Sequence, residues 1–575
     1  MSSTTSTIHT AAYDNLLAVY RSTSIFSVLA GIAGVLVLRS TLRAARRKFK
    51  TTSLRGPPGT HPIFGASKDL FESPDTGEIF ETWAEEYGVA YEVPTSFGGK
   101  KIMLCDPRAL AHYYARETWT YVLTDSTRVF LERGFGRGIL WSHGEDHKRQ
   151  RKSLSPAFSH AAMRKLSHVF YNCAHKTKAG WDALIDTSGG ESAIIEIQDW
   201  MNHISLDTIG MAGFSHEFGS LDGKPATIQK VFSAFDASAK QSFLDVAVVL
   251  FAEVFPVFSY IPVSCVQSLT DMQETLSGVA KNLLERMEKE KKEGVIDGKE
   301  DKSIIGVLIK ATEAEGGRHV TPEEVLSSVS KWWFYSCQVI LTVRDDQMKE
   351  LLLAGYITTS NSLTWALVEL ARNSDIQSKL RDELLAFGSE PTYDQLQSSQ
   401  TLPYLDAVVH ESLRIHPPLT DFVRVAAEDD VIPLSEPVIT KSGQAVNSIS
   451  VARGTRIGLP LACTNRSTAI WGPDAKVFRP DRWLEKDGIP KKAQDVQGYR
   501  HLLTFADGPR NCLGKGFAVS EIKAVLSVLV KSYVFEMRDG PNTQIELCRG
   551  ILPRPRVVGE EGSTMPLRVT RYEGF

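Results

Sequence analysis

The chain has 575 residues, 42% of them hydrophobic, enough to bury a large core. Its 65 basic and 68 acidic residues give a formal charge of −3, so no global basic field points to nucleic acid. Seven scattered cysteines form no Cys-x-x-Cys pair and no zinc-type spacing, which excludes a disulfide framework and a structural zinc site and fits a reducing environment.

From the N-terminus, the first predicted element is an apolar helix over Ser22 to Leu38, which carries no charge. It would span about 26 Å at about 1.5 Å per residue, against a hydrocarbon core of about 27 Å in the endoplasmic reticulum. Arg39, Arg43, Arg46, Arg47, Lys48 and Lys50 follow at once. The positive-inside rule puts that side in the cytosol, so the expectation is a single-pass anchor with a short lumenal N-terminus. A cleaved signal peptide fits less well, because the basic cluster lies on the wrong side of the apolar run. The prolines and glycines of "RGPPGTHPIFG", Arg55 to Gly65, predict a stiff hinge.

Beyond the hinge, "AYEVPTSFGGKKIMLC" (Ala90 to Cys105) reads as strands, while most later segments read as helix. In "GEDHKRQRKSLSPAF", His147 and Arg151 stand one helical turn apart on one face. The apolar stretch Phe243 to Val263 contains Asp245, Glu253 and Pro256, which argue against a spanning helix. It reads either as core or as an element at a membrane surface. Ser268 to Lys292 has apolar residues at helical spacing and ends in a charge run, and Thr321 with the proline after it and Glu324 forms a helix-start signal. Leu351 to Asn373 is a further helix with Gly355 inside it, at a cost of about 1 kcal/mol against alanine. The fold class expected is mainly α with a minor β-sheet.

The most informative stretch is "FADGPRNCLG", which runs into the amphipathic "KGFAVSEIKAVLSVLV". Cys512 stands between Gly508 and Gly514, with Phe505 and Arg510 before it. Glycines allow a flat partner to approach closely, and the following helix start favours thiolate over thiol. Arg510 suits an anionic group on that partner, and Phe505 can pack beside the sulfur. A haem meets all of these demands, with iron for the sulfur of Cys512 and a propionate for Arg510.

This loop resembles the cysteine-ligand loop of the cytochrome P450 superfamily of haem-thiolate monooxygenases. Further segments match in the family's order, and the resemblance covers nearly all of the chain from Pro57 onward. Glu411 and Arg414 in "HESLRIHPPL" resemble the K-helix pair, and "FRPDRW" resembles the segment whose arginine, here Arg482, joins that pair. The resemblance implies haem b with Cys512 as axial thiolate, and propionate contacts from His147, Arg151 and Arg424. It also implies that Leu351 to Asn373 is the I-helix on the oxygen side, where Gly355 leaves room for dioxygen and Thr358, with Thr359, relays protons. The organisation expected is a lumenal segment (1–21), a transmembrane helix (22–38), a basic hinge (39–58) and one P450-type catalytic domain (59–575).

Two departures stand out. Most family members carry an acid where this chain has Ile357. The segment Val329 to Arg344, "VSKWWFYSCQVILTVR", interrupts a run that is continuous in the family, and we read it as a retained intron rather than a genuine insertion. The chain has no Gly-x-Gly-x-x-Gly fingerprint and no flavin-type domain, so the electrons must come from a separate NADPH-cytochrome P450 reductase in the same membrane. The reaction expected is insertion of one oxygen atom of O2 into a lipophilic small molecule, in fungal specialised metabolism and of terpenoid type. Substrate contacts are expected within Thr118 to Leu140, Leu351 to Thr359, Pro417 to Phe422 and around Ile551. Two rivals are a haem-thiolate isomerase or dehydratase that needs no reductase, and an inactive product of a mis-spliced gene.

Overall fold

The computed structural model describes residues 45–224, 243–292 and 332–574 except 549 and 551, together with 34, 41, 42, 303 and 304. Helices dominate, with a minor sheet system, as composition and periodicity predict. The helices that frame the site are, in chain order, α1 (Pro107–Arg116), α2 (Asp125–Phe135), α3 (Gly144–Leu154), α4 (His160–Thr187), α5 (Ile197–Phe214), α6 (Ser264–Lys292), α7 (Trp332–Arg372), α8 (Pro403–Ile415) and α9 (Lys515–Ser532). Several begin where side chains cap orphan amides. The Asp106 carboxylate accepts from Ala109 N at 2.9 Å ahead of Pro107, and Thr124 Oγ1 accepts from Thr127 N at 3.2 Å.

The strands are β1 (Ala90–Pro94), β2 (Lys100–Leu104), β3 (Tyr121–Leu123), β4 (Ser192–Glu196), β5 (Phe422–Ala426), β6 (Asp430–Ile439), β7 (Ala445–Val451), β8 (Arg456–Leu459), β9 (Tyr533–Met537), β10 (Ile545–Cys548), β11 (Arg554–Val557) and β12 (Pro566–Arg571). Five of them make one sheet in the order β1-β2-β8-β5-β3, antiparallel except for β2 beside β8. In that sheet Leu123 pairs with Arg424, which fixes the arginine against the turn that follows α1.

The core runs through the helices. In α9, Phe517, Val519, Ile522, Val525, Leu526 and Leu529 are buried, and the helix packs on α4. At ~1.5–3 kcal/mol for each fully buried large side chain, that helix is held firmly, and so is the loop that leads into it. Helix α7 lies along α5, and its side chains from Asp346 to Leu370 are mostly buried.

The structure corrects the membrane reading. Among the described residues no helix is long and apolar enough to cross a membrane. The segment expected to do so, 22–38, lies outside the described residues except for Gly34, as does 1–21. The transmembrane helix and the single-pass endoplasmic reticulum placement are therefore not supported. Part of the basic cluster is pinned to the body. Residues 45–50 are helical and sit on the body, where Arg46 and Lys50 pair with Asp429 at 2.9 and 3.0 Å and Arg47 donates to Gly454 O at 3.2 Å. Leu54 is fully buried, and Thr52 exchanges hydrogen bonds with Ser450 in β7. Phe243–Ala252 is a short helix followed by a 3-10 turn, Pro256–Tyr260, so this apolar stretch does not form one long helix. The helix-start signal at Thr321 lies outside the described residues.

Candidate functional site

The loop 505–514 folds back on itself before α9. Cys512 N donates to Phe505 O at 2.8 Å, and Phe505 is buried with its ring edge-on to Tyr499 at 5.6 Å. Gly508 has φ +67°, and a Cβ there would lie 2.5 Å from Tyr114 O, so both backbone shape and space require glycine. Gly514 meets only Phe158 at 3.7 Å, so nothing described around it demands glycine. The Cys512 side chain opens outward, while protein atoms crowd it from behind. That crowding raises its pKa above 9.0, and the Gly514 amide, Arg151 and Lys515 pull it down less strongly. A bound metal, displacing the proton, would hold Cys512 as the thiolate.

Helix α3 and strand β5 bring the predicted cations to this loop. Arg151 Nη1 donates to Asn511 O at 2.6 Å, and its Nη2 donates to Asn511 Oδ1. Arg510 donates to Ser142 O. Burial, then Arg424, lower Arg510 to about 10. His147 is buried; burial, then Arg510 and Arg151, lower it to about 4, so it is neutral at pH 7. Arg424 packs on Phe422, with 5.0 Å to the ring centroid, and reaches Glu117 Oε1 at 3.6 Å.

The electrostatics of this cluster show what it lacks. Arg151, Arg424 and Arg510 face mainly Glu117, which burial raises to about 6 despite Arg424 and Arg510. Glu117 Oε2 and the hydroxyls of Tyr113 and Tyr114 are buried with no hydrogen-bond partner. Three half-buried arginines that outnumber the carboxylate beside them, next to tyrosine hydroxyls with no acceptor, suit added anionic oxygens. A planar dicarboxylate such as haem fits: Cys512 for the iron, Arg510, Arg424 and Arg151 for the propionates, and neutral His147 as a further donor.

Behind the loop lies a fully buried charge cluster. Glu411 and Arg414, one turn apart on α8, make two bonds at 2.8 and 2.9 Å with both side chains at 0% exposure. Arg482 Nε approaches Glu411 Oε1 at 3.5 Å, and Arg479 N and Trp483 Nε1 donate to the same carboxylate at 3.0 and 2.9 Å. Arg414 also donates to the carbonyls of Asn465, Ala475 and Val477. Asn465 Oδ1 in turn takes the Leu503 amide at 3.0 Å, which ties the cluster to the chain entering the cysteine loop.

On α7, Ala354 is exposed and Thr358 half-buried, so this face is the open side of a mostly buried helix. Thr358 Oγ1 donates to Ala354 O at 2.6 Å; Thr359 and Ile357 are buried, at 2% and 1% exposure. Gly355 points elsewhere. A Cβ there would lie 2.8 Å from Ile209 of α5, so close helix packing repays this glycine.

Sequence reasoning missed Glu117, Asn511 and Ser142. Asn511 stood beside Cys512 and could have been found. Glu117 and the Ser142 carbonyl gave no signal, because their roles depend on contacts between distant segments.

The description "Cytochrome P450" covers the family model that matches residues 55–334 and 345–557, leaving out 335–344. The chain is 50% identical to cytochrome P450 monooxygenase claQ of Ampulloclitocybe clavipes, over 92% of this chain and 94% of that protein. It is 47% identical to claO of the same fungus over 96% and 99%, and 31% identical to cytochrome P450 monooxygenase 205 of Postia placenta over 90% and 93%. Loop, cation cluster, buried triad and relatives agree: the chain belongs to the cytochrome P450 family and is a haem-thiolate monooxygenase of the fungal kind.

Proposed function

We propose that this protein inserts one oxygen atom of O2 into a lipophilic small molecule of terpenoid type, with electrons delivered by a separate NADPH-cytochrome P450 reductase. The observation that carries the reading is the convergence of Arg510, Arg424, Arg151 and His147 on the loop of Cys512, with Glu117 as the carboxylate beside them. Bound there, a thiolate-ligated haem supplies the activation of dioxygen.

The chain's own residues do the rest. Cys512 would hold the iron as its thiolate, and the Glu411–Arg414–Arg482 cluster keeps its loop in register. Arg510 and Arg424 orient the propionates. Thr358 Oγ1, which donates to Ala354 O, would turn toward the open face of α7 to pass a proton. Because Ile357 replaces the usual acid, proton delivery would rest on Thr358, Thr359 and water. The 329–344 segment is a retained intron in this reading, supported by the family match skipping 335–344.

The test is turnover of a lipophilic substrate panel by the haem-loaded protein with a fungal reductase, NADPH and ¹⁸O2. Label in the product with strict NADPH dependence supports the reading. Product formed from a hydroperoxide without reductase or O2 would favour the isomerase or dehydratase, the reading that Ile357 alone recommends.

A further inference from the structure

The 136–142 segment between α2 and α3 has no regular structure, yet it is held at both ends. On one side stand Asp346 and Glu350, one turn apart on α7. Asp346 Oδ2 accepts the Arg137 amide at 2.7 Å, and Glu350 accepts the Leu140 amide at 3.2 and 3.1 Å through its two oxygens. The approach is so close that a Cβ at Gly136 would lie 1.9 Å from Asp346 Oδ1, and one at Gly138 2.4 Å from Glu350 Oε2.

Asp346, Lys349 and Glu350 are all at least 95% buried, by exposures of 5%, 2% and 2%. Lys349 pairs with Asp346 at 2.8 Å and donates to Ser277 of α6 at 3.2 Å, which neutralises the aspartate. Burial, with a smaller push from Asp346, raises Glu350 to about 8, so it stands as a neutral acid at pH 7. At the other end of the segment, Ser142 N donates to Gly138 O at 3.1 Å and Ser142 O accepts from Arg510. A continuous path therefore leads from two buried acids on the oxygen-side helix to the arginine beside Cys512. Nothing in the function above uses these acids.

We propose that Asp346 and Glu350 are positioning residues for the haem: they hold the 136–142 segment so that Ser142 O takes one Arg510 donor and aims the guanidinium at a propionate. This rests on the haem-thiolate reading.

The test follows transfer of haem from the purified, haem-loaded chain to excess apomyoglobin, read at the Soret band. The variants are Glu350→Ala, Glu350→Gln, Arg510→Ala, the double variant Glu350→Ala/Arg510→Ala, and Leu363→Ala, a fully buried position of the same helix. Glu350→Ala is expected to speed haem loss about tenfold, the effect of one lost buried hydrogen bond. Glu350→Gln, whose oxygen still takes the Leu140 amide, stays within about threefold of wild type. In the Arg510→Ala background, Glu350→Ala adds less than about twofold, because it acts through the arginine. Should Glu350→Ala not fold, Glu350→Asp keeps the buried acid but shortens its reach, and it is expected to speed loss in the same direction. Equal rates for Glu350→Ala and Leu363→Ala, or fully multiplicative effects of Glu350 and Arg510, overturn the proposal. If neither the whole chain nor the chain lacking Val329 to Arg344 takes up haem, both this proposal and the reading beneath it are overturned.

Discussion

Replacing Glu411 by alanine isolates the charge cluster behind the cysteine loop. The carboxylate is wholly buried and receives two bonds from Arg414, one each from Arg479 N and Trp483 Nε1, and a long one from Arg482. Arg482 has a second anionic partner in Asp474 at 3.1 Å, but Arg414 keeps only carbonyl oxygens once Glu411 is gone. A buried guanidinium left without its carboxylate costs about 3–5 kcal/mol. Asp474→Asn is the matched control, since Asp474 is 32% exposed and its loss costs below about 1 kcal/mol. Urea unfolding followed by circular dichroism compares the two, with the carbon-monoxide spectrum reporting the cysteine loop. Glu411→Ala is expected to lower stability by about 3–5 kcal/mol and to reduce the thiolate-type band in parallel. Equal losses in the two variants, or a Glu411→Ala loss below about 1 kcal/mol, would refute the argument that this cluster holds the loop.

Two further expectations concern α7. Gly355→Ala is expected to destabilise by about 1–3 kcal/mol through contact with Ile209, and Ile209→Ala in the same chain should recover part of that loss; failure of the rescue in urea unfolding would point away from α5 packing. Glu350 has a folded pKa of about 8 against an ordinary 4.5, so its contribution is complete below pH 4.5 and is lost as pH rises toward 8. Between pH 6 and 8 the wild type should therefore lose about 2–3 kcal/mol more than Glu350→Gln, measured by urea midpoints in each buffer, and parallel pH curves would contradict this.

What was legible in the sequence is what lies in short, contiguous stretches. The ten residues around Cys512 and the one-turn spacing of Glu411 and Arg414 carry their geometry with them, because a loop fold and a helical turn are local. Gly355 was legible as a helix glycine with a purpose, but the purpose depended on which helix lies against it. Glu117 and the grip of Asp346 and Glu350 on the 136–142 segment join residues more than two hundred positions apart, and no periodicity reports such contacts. The basic run after residue 39 reads as part of a stiff hinge because its partner, Asp429, lies nearly four hundred residues away. The helix start beside Cys512 is local and legible, while the burial that raises its pKa comes from the packed fold.

Haem ligation by Cys512 can be read from the reduced, carbon-monoxide difference spectrum of the whole chain, beside a chain lacking Val329 to Arg344 and a Cys512→Ser variant. A thiolate-type Soret band is expected in the chain without that segment, retained or absent in the whole chain according to whether the segment is tolerated, and abolished by Cys512→Ser. No thiolate-type band in either chain, or a band that survives Cys512→Ser, would contradict ligation by Cys512.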